Sequence, residues 1–246
     1  MRGHYILSKK CRLINENPCK EIVFVKDNEL DKQEKIIYSL DEAKVILSAL
    51  DEKAPIGFNL FFNLLAYCGL RRGEALGLEY KDIDFENSIL TINRTSNYHI
   101  GYGTYTDTPK TKTSHRSLYI APKLLAMIKQ LQIEQKETAK ICGDQWNESD
   151  RLFVSWCGKP LSPNFPYKWL QRFCERENIP FHGLHAFRHF VATQALVDGV
   201  DVKSVSAMLG HSQTSTTLNI YAHVVDKAQT RALSSVAAQL ESVEKV

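Results

Sequence analysis

Phe58-Asn-Leu-Phe-Phe-Asn-Leu-Leu-Ala-Tyr-Cys68, followed at once by Gly69-Leu-Arg-Arg-Gly-Glu74, decides the fold of this chain. Phe58–Cys68 is apolar on nearly every side, as a helix at the centre of a core must be. Gly69 falls where such a helix ends in a left-handed residue, a conformation that costs glycine no Cβ clash. The wider stretch 56–70 is too short to cross a bilayer and contains Asn59 and Asn63, so it reads as core. A second short helix is expected over 72–78.

Working outward, Ser39-Leu-Asp-Glu42 is a capping box, and Leu40, Ala43, Ile46, Leu47 and Leu50 follow it at helical spacing. Downstream the period changes. Ser88–Asn93 and Arg116–Ile120 are rich in β-formers, with Gly- and Tyr-bearing 98–108 between them to supply a turn and a third strand. Helices are expected again over 122–136, 165–178, 185–198, 202–209, 214–221 and 224–243, with Phe153-Val154 as a short buried piece. The fold class is α+β: mostly α-helical with a small antiparallel β-sheet. Residues 1–25 are a mixed segment ending in the strand-like Glu21-Ile-Val-Phe-Val25, and 26–36, crowded with Asp, Glu and Lys, read as a linker.

Composition narrows the class without deciding it. The chain has 246 residues, 43% hydrophobic and 24% charged, which is enough apolar content for a sizeable core and argues against wholesale disorder. Its 31 basic and 28 acidic residues leave +3, too mild to announce a nucleic-acid partner and no argument against one, since clustering matters more than the sum. The six cysteines form no CxxC pair, and 1–10 holds no apolar signal-peptide run, so the expectation is a cytoplasmic chain with reduced thiols and no membrane span.

Four segments carry chemistry. In Gly69–Glu74, Arg71 sits at the start of a helix with Glu74 one turn on. This is either a surface ion pair or a guanidinium held to grip a phosphate. Thr108-Pro-Lys-Thr-Lys-Thr-Ser-His-Arg116 interleaves cations with hydroxyls before a strand: a solvated hairpin tip, or a turn projecting Lys110 or Lys112 at a phosphate. In His182-Gly-Leu-His-Ala-Phe-Arg-His189, Arg188 sits between two histidines four apart, which disfavours a cation there and suits an anionic oxygen. Leu209-Gly-His211 opens a hydroxyl-rich turn in which Thr214 and Ser215 can cap the next helix, with Tyr221 near that helix's end. Alone, Tyr221 reads as a core or interface residue.

Taken in this order, the four segments resemble the tyrosine recombinases, the phage-integrase family, over Ile36 to Tyr221. The resemblance rests on an Arg after Gly-Leu, a hairpin Lys, His-x-x-Arg, Leu-Gly-His and a Tyr about ten residues on. It implies the tyrosine recombinase catalytic-domain fold over 37–223. It makes Arg71 the first arginine, Glu74 its supporting acid, Lys112 the hairpin lysine, His185 and Arg188 the His-x-x-Arg pair, His211 the second histidine and Tyr221 the nucleophile. Lys110 competes with Lys112, because a turn slipped by two residues keeps the same face. Phe187 replaces the more usual Leu, apolar for apolar. His189 is given only a structural place. Arg72, Lys110 and Arg116 are expected to touch DNA beside the site.

The implied activity is site-specific strand cleavage and rejoining through a 3′-phosphotyrosine. Arg71 and Arg188 would neutralise the phosphate, and Lys112 would protonate the 5′-oxygen. His185 would assist Tyr221's proton loss or hydrogen-bond the phosphate, and His211 would add another phosphate hydrogen bond. No metal site and no cofactor are implied, since two fixed guanidiniums can stand in for a divalent ion. The implied partners are double-stranded DNA and further copies of the chain, a tetramer on recombining DNA and a monomer without it. Residues 224–246 would be a helical tail docking on a neighbour or on its own domain.

In this reading 1–36 is the remnant of, or linker from, a missing N-terminal core-binding domain. The expectation is a truncated gene or an expressed fragment that binds DNA weakly, with a shallow salt slope. A type IB topoisomerase-like enzyme, a non-catalytic DNA-binding regulator, and a metal-dependent hydrolase using His182, His185 and His189 are the competing readings.

Overall fold

The structure, a computed structural model, describes residues 37–107, 115–211, 213–215, 217, 218, 221, 233, 234, 236, 237 and 240. The expected linker 1–36, the hairpin tip 108–114 and most of the expected tail 224–246 lie outside the described residues, as does the end of the expected catalytic domain at 222–223.

Helix α1 (Leu40–Lys53) opens with the capping box read from the sequence: Ser39 Oγ accepts from the Glu42 N–H, and Glu42 Oε2 accepts from the Ser39 N–H. Its buried stripe is Ala43, Ile46 and Leu50. The central helix α2 (Ile56–Cys68) buries most of its circumference and packs against α1, α4 and α6. The amide nitrogens of its two asparagines are hydrogen-bonded. Asn63 Nδ2 donates to the Asn59 backbone and side-chain oxygens, and Asn59 Nδ2 donates to Asp51. Phe58 stacks on Trp169 with ring centroids 4.2 Å apart.

The short helix α3 (Arg72–Gly77) leads into the β region. Strands β1 (Ile83–Asp84), β2 (Ile89–Ile92) and β5 (Arg116–Tyr119) form an antiparallel sheet in the order β1-β2-β5, with Leu90 opposite both Ile83 and Leu118. Strands β3 (Thr95–His99) and β4 (Gly103–Asp107) form a separate two-stranded hairpin. The expected third strand in 98–108 is therefore corrected: that segment joins its own hairpin, and the sheet takes its third strand from Ile83-Asp84. Tyr98, Ile100, Tyr102 and Tyr105 are exposed on the hairpin.

Helix α4 (Pro122–Cys142) runs six residues past its expected end at 136 before stopping at Gly143, which has positive φ. Then come α5 (Phe165–Glu177), α6 (Leu184–Val197) and α7 (Val202–Leu209). The described positions 214, 215, 217, 218 and 221 are helical. A second apolar cluster of Ala192, Leu196, Val205, Leu209 and Tyr221 joins this last segment to α6 and α7. Among the described residues, no helix is long and apolar enough to cross a membrane.

Candidate active site

The site is built where two helices end. Helix α2 stops at Gly69 (φ 61°) and α7 stops at Gly210 (φ 67°), both left-handed. The last carbonyls of a helix have no partner within it and carry the negative end of its dipole. Three arginines from three different elements supply those partners. Arg116, at the start of β5, donates Nε to Met208 O at 2.7 Å. Arg188, on α6, donates Nη2 to Leu209 O at 2.5 Å and Nη1 to Gly69 O at 2.8 Å. Arg71, just before α3, donates Nη2 to Gly210 O at 3.2 Å. Three successive carbonyls thus receive three guanidiniums.

Arg188 is 2% exposed. Burial, and then the charge of Arg71, pull its pKa down to about 9, with Glu74 opposing, so it stays protonated at neutral pH. Bridging two helix ends explains how a buried cation is tolerated there.

Glu74 holds the other two arginines. Its Oε2 accepts from the Arg71 N–H at 2.9 Å and its Oε1 from Arg71 Nη1 at 2.7 Å. Arg116 meets both oxygens, at 3.2 and 2.8 Å. Burial alone would raise the Glu74 carboxyl. Its hydrogen bonds and ion pairs with Arg116 and then Arg71 outweigh burial and hold it below the usual carboxylate range. Helix α3 reaches this position by close approach to β3. A Cβ at Gly73 would stand 2.9 Å from Ser96 O, and one at Gly77 2.9 Å from Arg94 O.

This geometry separates the expected contacts. Arg71 keeps its side chain 39% exposed, open to a ligand. Arg116 was expected to meet DNA, but its side chain is 7% exposed and its donors are committed to Glu74 and Met208. Arg72 is exposed and donates to Asn164 Oδ1 at 3.3 Å, on the rim of a polar cleft with Asn97, Tyr98 and Tyr105. Lys110 and Lys112 lie outside the described residues.

Tyr221 is 3% exposed, and its Oη lies 2.5 Å from His189 Nδ1. Burial pushes its phenol pKa up, and the charge of Arg188 partly opposes this. His185, one turn before His189 on α6, is exposed, and the two rings meet edge to face with centroids 4.8 Å apart. His211 pairs Nδ1 with Thr217 Oγ1 at 2.7 Å. Burial, and then the charges of Arg188, Arg71 and Arg116, lower its pKa to about 4, so it is neutral at pH 7.

The structure therefore brings Arg71, Glu74, Arg188, His211 and Tyr221 into one electrostatic neighbourhood with Arg116. It also adds a contact that the sequence reading missed, His189 on Tyr221. A signal was available: His189, Ala192 and Leu196 recur at helical spacing on the buried face of α6. Of the histidines of the hydrolase reading, His182 lies 3.3 Å from Glu42 Oε1 and His189 meets Tyr221. Among the described residues, no three His, Cys, Asp or Glu side chains are grouped as a metal site.

A helical core, a small antiparallel sheet and arginines gathered beside a buried tyrosine define a class, and comparison with known proteins agrees. Residues 38–228 match the phage integrase family, and the chain belongs to it. It is 33% identical over 235 residues to a tyrosine recombinase XerC-like protein of Caldanaerobacter subterraneus subsp. tengcongensis, covering 90% of this chain and 59% of that protein. It is 26% identical over 217 residues to the ICEBs1 integrase of Bacillus subtilis, covering 88% and 57%. The chain thus spans less than two thirds of the length of these curated relatives. Among solved structures, it shares its fold with the Tn1549 transposon integrase in complex with transposon right end DNA. The TM-score is 0.72 at 22% identity, covering 94% of this chain and 75% of that one.

Proposed function

We propose that this chain cleaves and rejoins DNA strands by transesterification as the catalytic part of a site-specific recombinase. The observation that carries the reading is the convergence of Arg71 and Arg188 on the ends of α2 and α7, with Tyr221 within range of the charge on Arg188.

In this reading Tyr221 Oη attacks the scissile phosphorus. The phenol loses its proton, a P–O(Tyr) bond forms, and the P–O5′ bond breaks. The 5′-oxygen takes a proton from Lys112, with Lys110 the competing donor. The product is a 3′-phosphotyrosine and a free 5′-hydroxyl, and rejoining reverses each step without loss of bond energy. Negative charge gathers on the non-bridging oxygens in the transition state. Arg71 and Arg188 meet it as donors already fixed by Glu74 and the helix ends. His211, neutral at pH 7, serves as a hydrogen-bond donor to the phosphate, and His185 contacts it from the exposed face of α6.

Double-stranded DNA is the proposed partner, supported by the DNA-bound transposon integrase that shares the fold. Residues 37–223 are taken as the catalytic unit, preceded by a linker over 1–36. Residues 224–246 are taken as a tail that docks on a neighbouring copy in a tetramer on DNA. Leu233, Val236 and Leu240 are exposed, as an unpartnered docking face requires.

A nicked suicide substrate tests the proposal. After cleavage the short 5′-hydroxyl fragment diffuses away, and a covalent protein–DNA adduct accumulates on a denaturing gel, in EDTA as well as without it. Tyr221→Phe should give none. An adduct formed by that variant would remove Tyr221 from its role.

A further inference from the structure

We propose that His189, rather than His185, is the group that takes the proton from Tyr221 Oη during attack and returns it during rejoining. This rests on the reading of Tyr221 as the nucleophile and goes beyond it, since it names a catalytic residue outside the matched motif positions.

The geometry is specific. His189 Nδ1 lies 2.5 Å from Tyr221 Oη, hydrogen-bonding distance to the reacting atom itself. The imidazole is 7% exposed and sits on the inward face of α6, in line with Ala192 and Leu196 of the cluster that also holds Tyr221. Its ring is further set by the edge-to-face contact with His185. His185 itself is exposed, a turn away on the outer surface, where it suits a phosphate better than a buried phenol.

The chemistry requires such an acceptor. A phenol has an ordinary pKa of about 10, and burial raises that of Tyr221 further, so free tyrosinate cannot supply the attack at neutral pH. With the Nε2–H tautomer, Nδ1 offers its lone pair to the phenol hydrogen. The Oη–H bond then breaks toward Nδ1 as an Oη lone pair forms the bond to phosphorus, and the P–O5′ bond breaks with its proton supplied separately. Rejoining runs in reverse: the 5′-hydroxyl attacks, Oη leaves, and the proton on Nδ1 goes back to it. Protons balance over the cycle. The new imidazolium, next to Arg188 in sequence, forms as the phosphoryl group gains negative charge, so the site's net charge does not rise.

Single-turnover adduct formation on the nicked substrate tests this with His189→Asn. Asn places a side-chain amide oxygen close to where Nδ1 stands. That oxygen accepts a hydrogen bond but takes up no proton near neutral pH. The variant should keep its melting temperature and DNA affinity and form adduct about 100-fold more slowly. Incorporating a fluorinated, more acidic tyrosine at 221 supplies a readout that packing alone would not move. In that background the His189→Asn deficit should shrink by about tenfold, because less depends on the acceptor. His189→Asn reacting within about threefold of wild type, or a deficit unchanged by the fluorinated tyrosine, overturns the proposal. Adduct formation by Tyr221→Phe would instead defeat the underlying reading.

Discussion

Arg116 closes its guanidinium on both oxygens of Glu74, Nη1 to Oε1 at 3.2 Å and Nη2 to Oε2 at 2.8 Å. A strand residue and the start of α3 are thereby held as one unit, and Arg71 is positioned by the same carboxylate. Both side chains of the clamp are 7% exposed, so each is a counter-charge to the other in the interior.

Glu74→Ala would leave Arg116 buried without its counter-charge. The expected loss is about 3–5 kcal/mol in urea unfolding at pH 7. The pH dependence has a definite sign. The folded-state pKa of Glu74 is lowered, so its contribution is present above the unfolded carboxylate pKa and is lost as pH falls through the folded value. Unfolding curves of wild type and Glu74→Gln should therefore converge as pH falls through the acid range. A difference that stays constant down to acid pH would contradict the assignment.

His211 predicts a second pH window. Its folded-state pKa of about 4 lies below the ordinary value of 6.5, so below pH 6.5 the unfolded chain takes up a proton that the folded chain refuses. Stability is full above pH 6.5 and declines as pH falls toward about 4. His211→Gln should flatten that part of the stability–pH curve, measured by chemical unfolding at a series of pH values.

Gly77→Ala tests the seating of α3. The added methyl meets Arg94 O at 2.9 Å and Thr95 Cα at 3.2 Å, backbone atoms that cannot rotate aside. The expected cost is about 1–3 kcal/mol in stability. Adduct formation should also fall, because α3 carries Glu74 and follows directly on Arg71.

Arg188→Lys keeps a positive charge but not the fork. One ammonium cannot span Gly69 O and Leu209 O while also facing a phosphate. Adduct formation should drop about 100- to 1000-fold at saturating DNA. Near-normal rates in a single-turnover assay would show that the bridge between the two helix ends is dispensable.

The legible parts of the sequence were those that depend on near neighbours. Ser39 and Glu42 are three residues apart, and Gly69 terminates the helix that it follows, so both could be read without knowing the fold. Arg71, Arg188 and Tyr221 stand out as candidates because their order along the chain is distinctive, although each alone reads as an ordinary surface or core residue. The strand pairing was misread because Ile83-Asp84 is too short to show a β pattern; its place is set by pairing with Ile89-Leu90. Arg116 is expected at the DNA because it closes a run of cations and hydroxyls before a strand. Strand alternation puts it on the same face as Leu118, and that period was the better guide. The contact of His189 with Tyr221 joins positions 32 residues apart and needed the fold to become visible.

Besides the Glu74 carboxylate that holds two of them, the three guanidiniums each answer to a peptide oxygen at the end of α7. Substitutions at Met208 that preserve the turn therefore leave the acceptors untouched, whereas any change that shifts the last turn of α7 displaces an acceptor of all three cations at once. The charge pattern is tied to the backbone like marks on a ruler. A partner that tilts this one short helix would act as a single lever on the whole constellation.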